Sequence, residues 1–322
     1  MPPPLAFELA AFLLGLLFGS FLNVCISRLP WHQSIIKPRS HCPRCHTLIH
    51  WYDNIPLLSF VLLRAKCRNC KATIPWRYPL VEIAVGIWFV LINDLFFGGL
   101  PGLRSSMRAL DPPVANWNAG DHVITMLLLM FGFAILGFLL IGLLVMDWQT
   151  HTLPDAFTLT GTAIGFLLTC ISAAFLPTGE GDIKFDPKHS LRISSPGSFV
   201  AKGNVFMTGP EATVLGRIAA ILAAAGLILL IRFTYKKLRG REGLGLGDAK
   251  LMAMLTAFLG FAPAMLALFV GVILCAAYAL TLLARRRADA LTQLPLGTFL
   301  CLGGLFTALV GQPILHWYQS LL

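Results

Sequence analysis

Charge is scarce in this chain. Asp, Glu, Lys and Arg make up 12% of its 322 residues, against 57% hydrophobic residues. Together with a mean hydropathy of +0.75, that scarcity excludes a solvated globular domain and points to an all-α polytopic membrane protein. No Lys or Arg precedes the first apolar run: Met1-Pro2-Pro3-Pro4 leads into it and Glu8 follows. The run over 5–26 therefore lacks the basic start of a secretory signal and reads as a retained first span. No repeat of fixed period and no glycine-rich nucleotide-binding turn is present, and nothing in the charge pattern favours a nucleic-acid partner.

Further apolar runs lie at 79–98, 122–146, 156–176, 212–233, 249–261, 263–284 and 296–318. Most approach the roughly 20 residues that cross a bilayer core. The expectation is about eight transmembrane helices, with 249–261 the short one: closed by Pro263, it either crosses or forms a re-entrant helix. Loop charge arbitrates, because Lys and Arg collect on the cytoplasmic side. The stretch Arg28 to Arg77 holds nine of them against one acid, Asp53; Arg232 to Lys250 holds six and Arg285 to Arg287 three, together 18 of the chain's 25. All three fall on one side only if the short run crosses. Eight spans with both termini outside follow, and the excess of +10 is mostly a topology signal that also suits anionic lipid.

Cysteine is used in one concentrated way. Cys42-Pro43-Arg44-Cys45 is followed, after 21 residues, by Cys67-Arg68-Asn69-Cys70. Paired knuckles at that spacing place four thiolates around a structural zinc; the rival, a pair of disulfides, is disfavoured in a loop assigned to the reducing cytoplasm. His41 and His46 flank the first knuckle, but four cysteines already complete a set. The loop of about fifty residues is too small for a core of its own, so the ion would supply folding energy. Cys25, Cys170, Cys275 and Cys301 sit singly in apolar runs as packing residues.

Two carboxylates stand where apolar runs meet polar, basic segments. One is Asp147, in Met146-Asp147-Trp148-Gln149-Thr150-His151-Thr152-Leu153-Pro154-Asp155; the other is Asp248, in Gly243-Leu244-Gly245-Leu246-Gly247-Asp248-Ala249-Lys250. A carboxylate at a membrane edge is costly unless paired or used. In the eight-span topology Asp147 ends the third span and Asp248 begins the sixth, so both reach the cytoplasmic edge. Two carboxylates sharing a proton suffice to hydrolyse a peptide bond, one activating water and the other protonating the carbonyl oxygen. The bland reading makes each a helix-terminus residue. Asp248 would suit an N-cap, whereas Asp147 at a helix end meets the unfavourable pole of the dipole. The glycines before Asp248 either admit positive φ and a close substrate or merely break a helix. Lys250 pairs with a carboxylate or a lipid phosphate. Glu82, Asn23 and Arg28 are further polar groups at the inner ends of spans, and Glu82 either meets a positive charge or caps a helix.

These motifs resemble the type IV prepilin peptidases. Gly245-Leu246-Gly247-Asp248 looks like the Gly-x-Gly-Asp signature of intramembrane aspartic peptidases, and Asp147 to Pro154-Asp155 resembles the family's first-aspartate motif. Phe18-Gly19-Ser20-Phe21-Leu22-Asn23-Val24 with Arg28-Leu29-Pro30, and Arg77-Tyr78-Pro79-Leu80-Val81-Glu82, are similar to two more, and the paired knuckles lie between them. The resemblance implies Asp147 and Asp248 as the catalytic pair, and a bacterial inner-membrane enzyme with its active site facing the cytoplasm. Its substrates would be type IV prepilins or type II secretion pseudopilins, cut after a glycine. It further implies N-methylation of the new amino terminus with S-adenosylmethionine, for which no residue is assigned. The organisation expected is a first transmembrane helix over 1–28, a cytoplasmic four-cysteine zinc domain over 29–77 and a membrane peptidase domain over 78–322. An outer-side insertion over 177–211 sets the two aspartates further apart than is usual in the family. A transporter or channel using the carboxylates for protons or cations is the rival class, although such proteins favour midplane sites and repeated halves.

Overall fold

A computed structural model describes residues 5–97, 119–174, 210–240, 245–285 and 294–321. The expected insertion at 177–211 lies almost wholly outside them. The described residues form α1 (Leu5–Arg28), a short α2 (Leu58–Leu62), α3 (Arg77–Phe97), α4 (Ala119–Thr150), α5 (Asp155–Ala174), α6 (Pro210–Arg239), α7 (Leu246–Leu259), α8 (Phe261–Ala284) and α9 (Leu296–Ser320). Among them the only strand-like pairings are two isolated bridges, His41 with Leu48 and Lys66 with Thr73. The architecture is all-α, as an apolar chain requires when its backbone groups must be satisfied without water.

Among the described residues, seven helices are long and apolar enough to cross a membrane. The expected eighth, α7, has 14 residues, about 21 Å at 1.5 Å per residue. It is buried on all sides, through Ala249, Leu251, Met252, Met254, Leu255, Thr256 and Ala257, and α4, α5, α6, α8 and α9 enclose it. A helix apolar all round belongs in an interior. Its direction is nonetheless that of a crossing. A Cβ on Gly271 of α8 would lie 3.0 Å from Leu300 Cα, and one on Gly303 would run into the Ala267 carbonyl, so α8 and α9 are antiparallel. Tyr278, late in α8, meets Phe299 and Trp148 at 5.4 and 5.7 Å between ring centroids. The chain thus leaves the aspartate end along α7, turns at Gly260 and returns along α8.

Small residues set the other main contact. A Cβ on Gly15 or Gly19 of α1 would stand 2.7 Å from Gly86 Cα or 2.6 Å from Glu82 Cα of α3. These helices therefore pack backbone to backbone, as small residues four apart permit in a bilayer. Leu22, Leu136, Leu140, Leu143, Met146, Leu251, Met252, Leu255 and Leu300 fill the centre. α6 and α8 turn Leu222, Leu230, Phe233, Phe269, Ile273 and Leu280 outward, as lipid-facing helices do.

Candidate active site and metal centre

Asp147 lies in the last turn of α4, which ends at Thr150 with His151 in the left-handed region at φ 51°. Its carboxylate is buried. Oδ2 accepts both the backbone N–H of Thr298, at 2.6 Å, and the Thr298 hydroxyl, at 2.9 Å. Thr298 is the third residue of α9, where N–H groups have no partner within their own helix. The positive end of α9 therefore offsets the unfavourable C-terminal pole of α4, which explains how a negative group is kept at a helix end.

Asp248 is the third residue of α7 and is also buried. It is not the N-cap: Gly245 holds that place, and Asp248 Oδ2 reaches back to accept the Gly245 N–H at 3.0 Å. Among the described residues Oδ1 of neither aspartate takes a hydrogen bond, and no Lys or Arg pairs with either carboxylate. The two lie within electrostatic reach of each other, with the buried Cys301 in reach of both. Leu153 joins the two halves. A Cβ on Gly247 would be 3.0 Å from Leu153 Cβ and Cδ1; one on Gly297 would be 2.9 Å from Leu153 Cδ1 and 3.0 Å from Asp147 Oδ2.

These contacts revise the role of the glycines. Gly245 has φ −77°, open to any residue, and Gly247 is helical, so neither supplies positive φ; Gly247 supplies closeness to Leu153. Gly243 lies outside the described residues. Lys250 bonds Asp155 Oδ1 at 2.6 Å, tying the start of α7 to the start of α5 and settling Asp155 as an ion-pair partner. Sequence reasoning missed Thr298, Gly297 and Leu153. Pro295 before an apolar run is a helix-start signal, but nothing local says which carboxylate that start meets.

The four knuckle cysteines converge, their Sγ atoms all within 4.8 Å of one another. Cys42 and Cys70 are 3.7 Å apart, Cys45 and Cys67 4.0 Å. Bonds of about 2.3 Å to a tetrahedral zinc require a sulfur separation of about 3.8 Å, whereas a disulfide needs about 2.05 Å. The cluster fits a metal. Both knuckles are built alike: Cys42 N–H bonds Thr47 O and Cys67 N–H bonds Ala72 O, and His46 and Lys71 both take φ 57°. His41 and His46 stack on each other outside the tetrad. Arg68 grips Asp53 with two bonds, of 2.6 and 2.8 Å, and so holds that carboxyl below its ordinary value.

The remaining polar groups tie this segment to the bundle. Glu82 is buried, and its Oε2 accepts at 2.9 Å the N–H of Leu57, the N-cap residue of α2. Asn23 donates to Tyr78 O at 3.0 Å, and Arg28 donates to the carbonyls of Ser34 and Pro38 at 2.9 and 2.7 Å.

A profile described as the bacterial peptidase A24 N-terminal domain matches residues 13–96, and the type IV leader peptidase family matches residues 196–280. A Stutzerimonas stutzeri protein named prepilin leader peptidase/N-methyltransferase is 30% identical over 98% of this chain and 94% of its own. One of the same name from Klebsiella pneumoniae is 33% identical over 78% of this chain and 84% of its own. A Myxococcus xanthus protein so named is 57% identical over 26% of this chain and 25% of its own. No solved structure matches the chain.

Proposed function

The chain belongs to the prepilin leader peptidase/N-methyltransferase family, and on that premise we propose that Asp147 and Asp248 are its catalytic pair. The protein is a multi-pass membrane peptidase. The observation that carries the proposal is that two buried carboxylates from distant parts of the chain come within electrostatic reach at one end of the bundle and, among the described residues, each has Oδ1 unengaged and no Lys or Arg pairs with either.

The chemistry needs one proton held between the two carboxylates. The ionised member takes a proton from water, and the water oxygen bonds the scissile carbonyl carbon. The protonated member gives its proton to the carbonyl oxygen. As the tetrahedral centre collapses the C–N bond breaks, the amine takes up a proton from one carboxyl, a hydroxyl of the centre returns its proton to the other as the C=O re-forms, and one shared proton remains for the next cycle. Thr298 and Gly245 orient the carboxylates through their Oδ2 atoms.

The substrates are type IV prepilins or pseudopilins of type II secretion, cut at the cytoplasmic face of the inner membrane. Basic residues concentrated in the segments beside the aspartates support that orientation. Residues 1–28 form the first span, 29–77 a cytoplasmic four-cysteine domain that zinc holds folded, and 78–322 the peptidase domain. The cluster leaves no open coordination position, so the ion has a structural role and Cys42, Cys45, Cys67 and Cys70 hold it. The relatives' names support a second activity, methylation of the new amino terminus, for which S-adenosylmethionine would supply an electrophilic methyl group.

The test is cleavage of a purified prepilin by detergent-solubilised protein, comparing wild type with Asp147→Asn and Asp248→Asn after each is shown to be folded. Both variants should lose cleavage by at least about a thousandfold. Near wild-type cutting by either one removes the pair from the chemistry.

A further inference from the structure

The short helix α2 is built the wrong way round for a segment facing water. Its one polar side chain, Ser59, is buried, and the Ser59 hydroxyl is turned to the Tyr52 and Ile55 carbonyls at 3.1 and 2.8 Å. Leu58, Val61 and Leu62, spaced three and four apart and so on one face, are 51%, 70% and 71% exposed. Trp76, 70% exposed, stands beside this helix, its ring meeting that of Phe60 edge-on at 5.1 Å. The polar group is inside and the apolar face is outside, so the face needs a partner that takes apolar area out of water.

The level of α2 along the bundle is fixed by two contacts. Leu57, its N-cap residue, takes φ 58° and ψ −47°, and the Leu57 N–H bonds Glu82 Oε2 at 2.9 Å. A leucine keeps such a backbone only where its surroundings impose it, and here Glu82 does. Glu82 is the sixth residue of α3, about 7.5 Å past Arg77 along the axis. The start of α2 therefore lies alongside the first turns of a membrane-crossing helix and not beyond its end. Trp76 gives the same level. The Leu80 N–H bonds the Trp76 carbonyl at 3.2 Å, so Trp76 stands one turn before Leu80 on the stripe of α3 that runs on to Ile87. Leu80 and Ile87 are 59% and 49% exposed, as the lipid-facing residues of a span are. The exposed face of α2 thus continues a surface that already meets the bilayer.

Charge fits the same partner. Arg64 and Lys66 come just after α2, both exposed, and among the described residues neither pairs with an acid. The one acid between Arg28 and Arg77 is Asp53, and Arg68 holds it. An apolar face with tryptophan at its border and basic residues at its rim suits the headgroup layer of a membrane, where long basic side chains lay their stems on apolar surface and hold their charges at phosphate. The level favours lipid over a protein partner, because only the headgroup layer has to lie there. Arg77 Nη1 donates to Gln149 Oε1 at 2.8 Å, two residues from Asp147, so this is the membrane face at which the aspartates stand.

We propose that α2 and Trp76 form an interfacial anchor that seats the four-cysteine segment on the phospholipid surface at the aspartate end of the bundle. Leu58, Val61 and Leu62 enter the boundary between headgroups and acyl chains, and Arg64 and Lys66 meet lipid phosphates.

The experiment uses the full, zinc-loaded protein in vesicles of phosphatidylethanolamine and phosphatidylglycerol. Val61→p-benzoylphenylalanine is irradiated and its adducts are read by mass spectrometry, with the same probe at the lipid-facing Leu80 as reference. The Val61 probe should give phospholipid adducts at no less than about a third of the Leu80 yield. If the Val61 variant loses zinc, the probe goes to Leu62 with the same threshold. A lower yield overturns the anchor, and so do adducts formed chiefly with a second copy of the chain or with an added prepilin, which would make the face a protein interface. Arg64→Glu/Lys66→Glu should lower the lipid yield at Val61 at least threefold while zinc is retained; a smaller drop overturns the phosphate contacts.

Discussion

Gly247→Ala tests whether the aspartates are set by the packing around Leu153. The new methyl group would lie 3.0 Å from both Cβ and Cδ1 of Leu153. Carbon contacts are comfortable at about 3.5–4.0 Å, so something must give by roughly 0.5–1 Å. Leu153 cannot retreat, because its Cδ1 already faces Gly297, where an added Cβ would be only 2.9 Å away. The strain therefore passes to the start of α7, and Asp248 is the next residue. For stability two effects oppose: alanine in a helix gains up to about 1 kcal/mol over glycine, and overpacking costs about 1–3 kcal/mol. The net loss is at most about 3 kcal/mol, less than the roughly 5–15 kcal/mol of ordinary stability, so the variant should fold. Activity is less forgiving, since a displacement near 1 Å can cost about a hundredfold. We expect kcat for prepilin cleavage to fall by about tenfold to a hundredfold with a small change in melting temperature. The double variant Gly247→Ala/Leu153→Ala should recover at least tenfold of that loss. A single variant that cuts within twofold of wild type refutes the wedge, and so does a folded double variant with no recovery.

The Lys250 to Asp155 pair has side chains 34% and 59% exposed, so Lys250→Met should cost no more than about 1 kcal/mol in unfolding; a cleavage loss beyond tenfold would place Lys250 in the chemistry instead. Hydrogen bonds from the Thr47 side chain and backbone hold the Cys45 thiol down to about 6 from an ordinary 9.0. A folded value below the unfolded one means that the contribution to folding is full above pH 9.0 and is lost as pH falls through about 6. Arg217→Leu removes the donor to the Thr256 carbonyl at 3.1 Å and should destabilise by about 1–3 kcal/mol, read as a lower melting temperature at unchanged zinc content.

The parts of this protein that were legible in the sequence are those in which a few adjacent residues carry the physics. Cys42 to Cys45 and Cys67 to Cys70 specify a metal tetrad because the spacing within each knuckle sets its turn, and the four sulfurs do converge. Long apolar runs specify spans because hydropathy is additive. The junctions at Asp147 and Asp248 pointed to a site, since a carboxylate there needs a reason. What stayed hidden depends on which helix neighbours which. Gly15 and Gly19 read as ordinary apolar-run residues until Gly86 and Glu82 stand against them. Thr298 is one more threonine until α9 brings its N–H to a carboxylate 151 positions away. The positive φ of Leu57 had no local signal at all, because the cause is Glu82, 25 positions on.

The short helix α7 explains how a carboxylate pair can stand at a membrane edge without a cation. About 21 Å of helix is shorter than the roughly 30 Å hydrocarbon core, so a lone α7 would leave both its ends inside lipid with unsatisfied backbone groups. The protein satisfies each end from within. At the far end, Thr256 O accepts from Arg217 and from the Gly260 N–H, and the Thr169 hydroxyl reaches Ala257 O at 3.4 Å. At the near end, Asp248 accepts the Gly245 N–H. Because other helices enclose α7, the surrounding protein stands in for the missing length of apolar helix, and Asp248 can begin a helix below the level where its neighbours end. Asp147 is lowered in the same manner, three residues before the end of α4 and facing the first turn of α9. The two carboxylates thus stand among helix ends, held by the first turns of α7 and α9 and joined through Leu153.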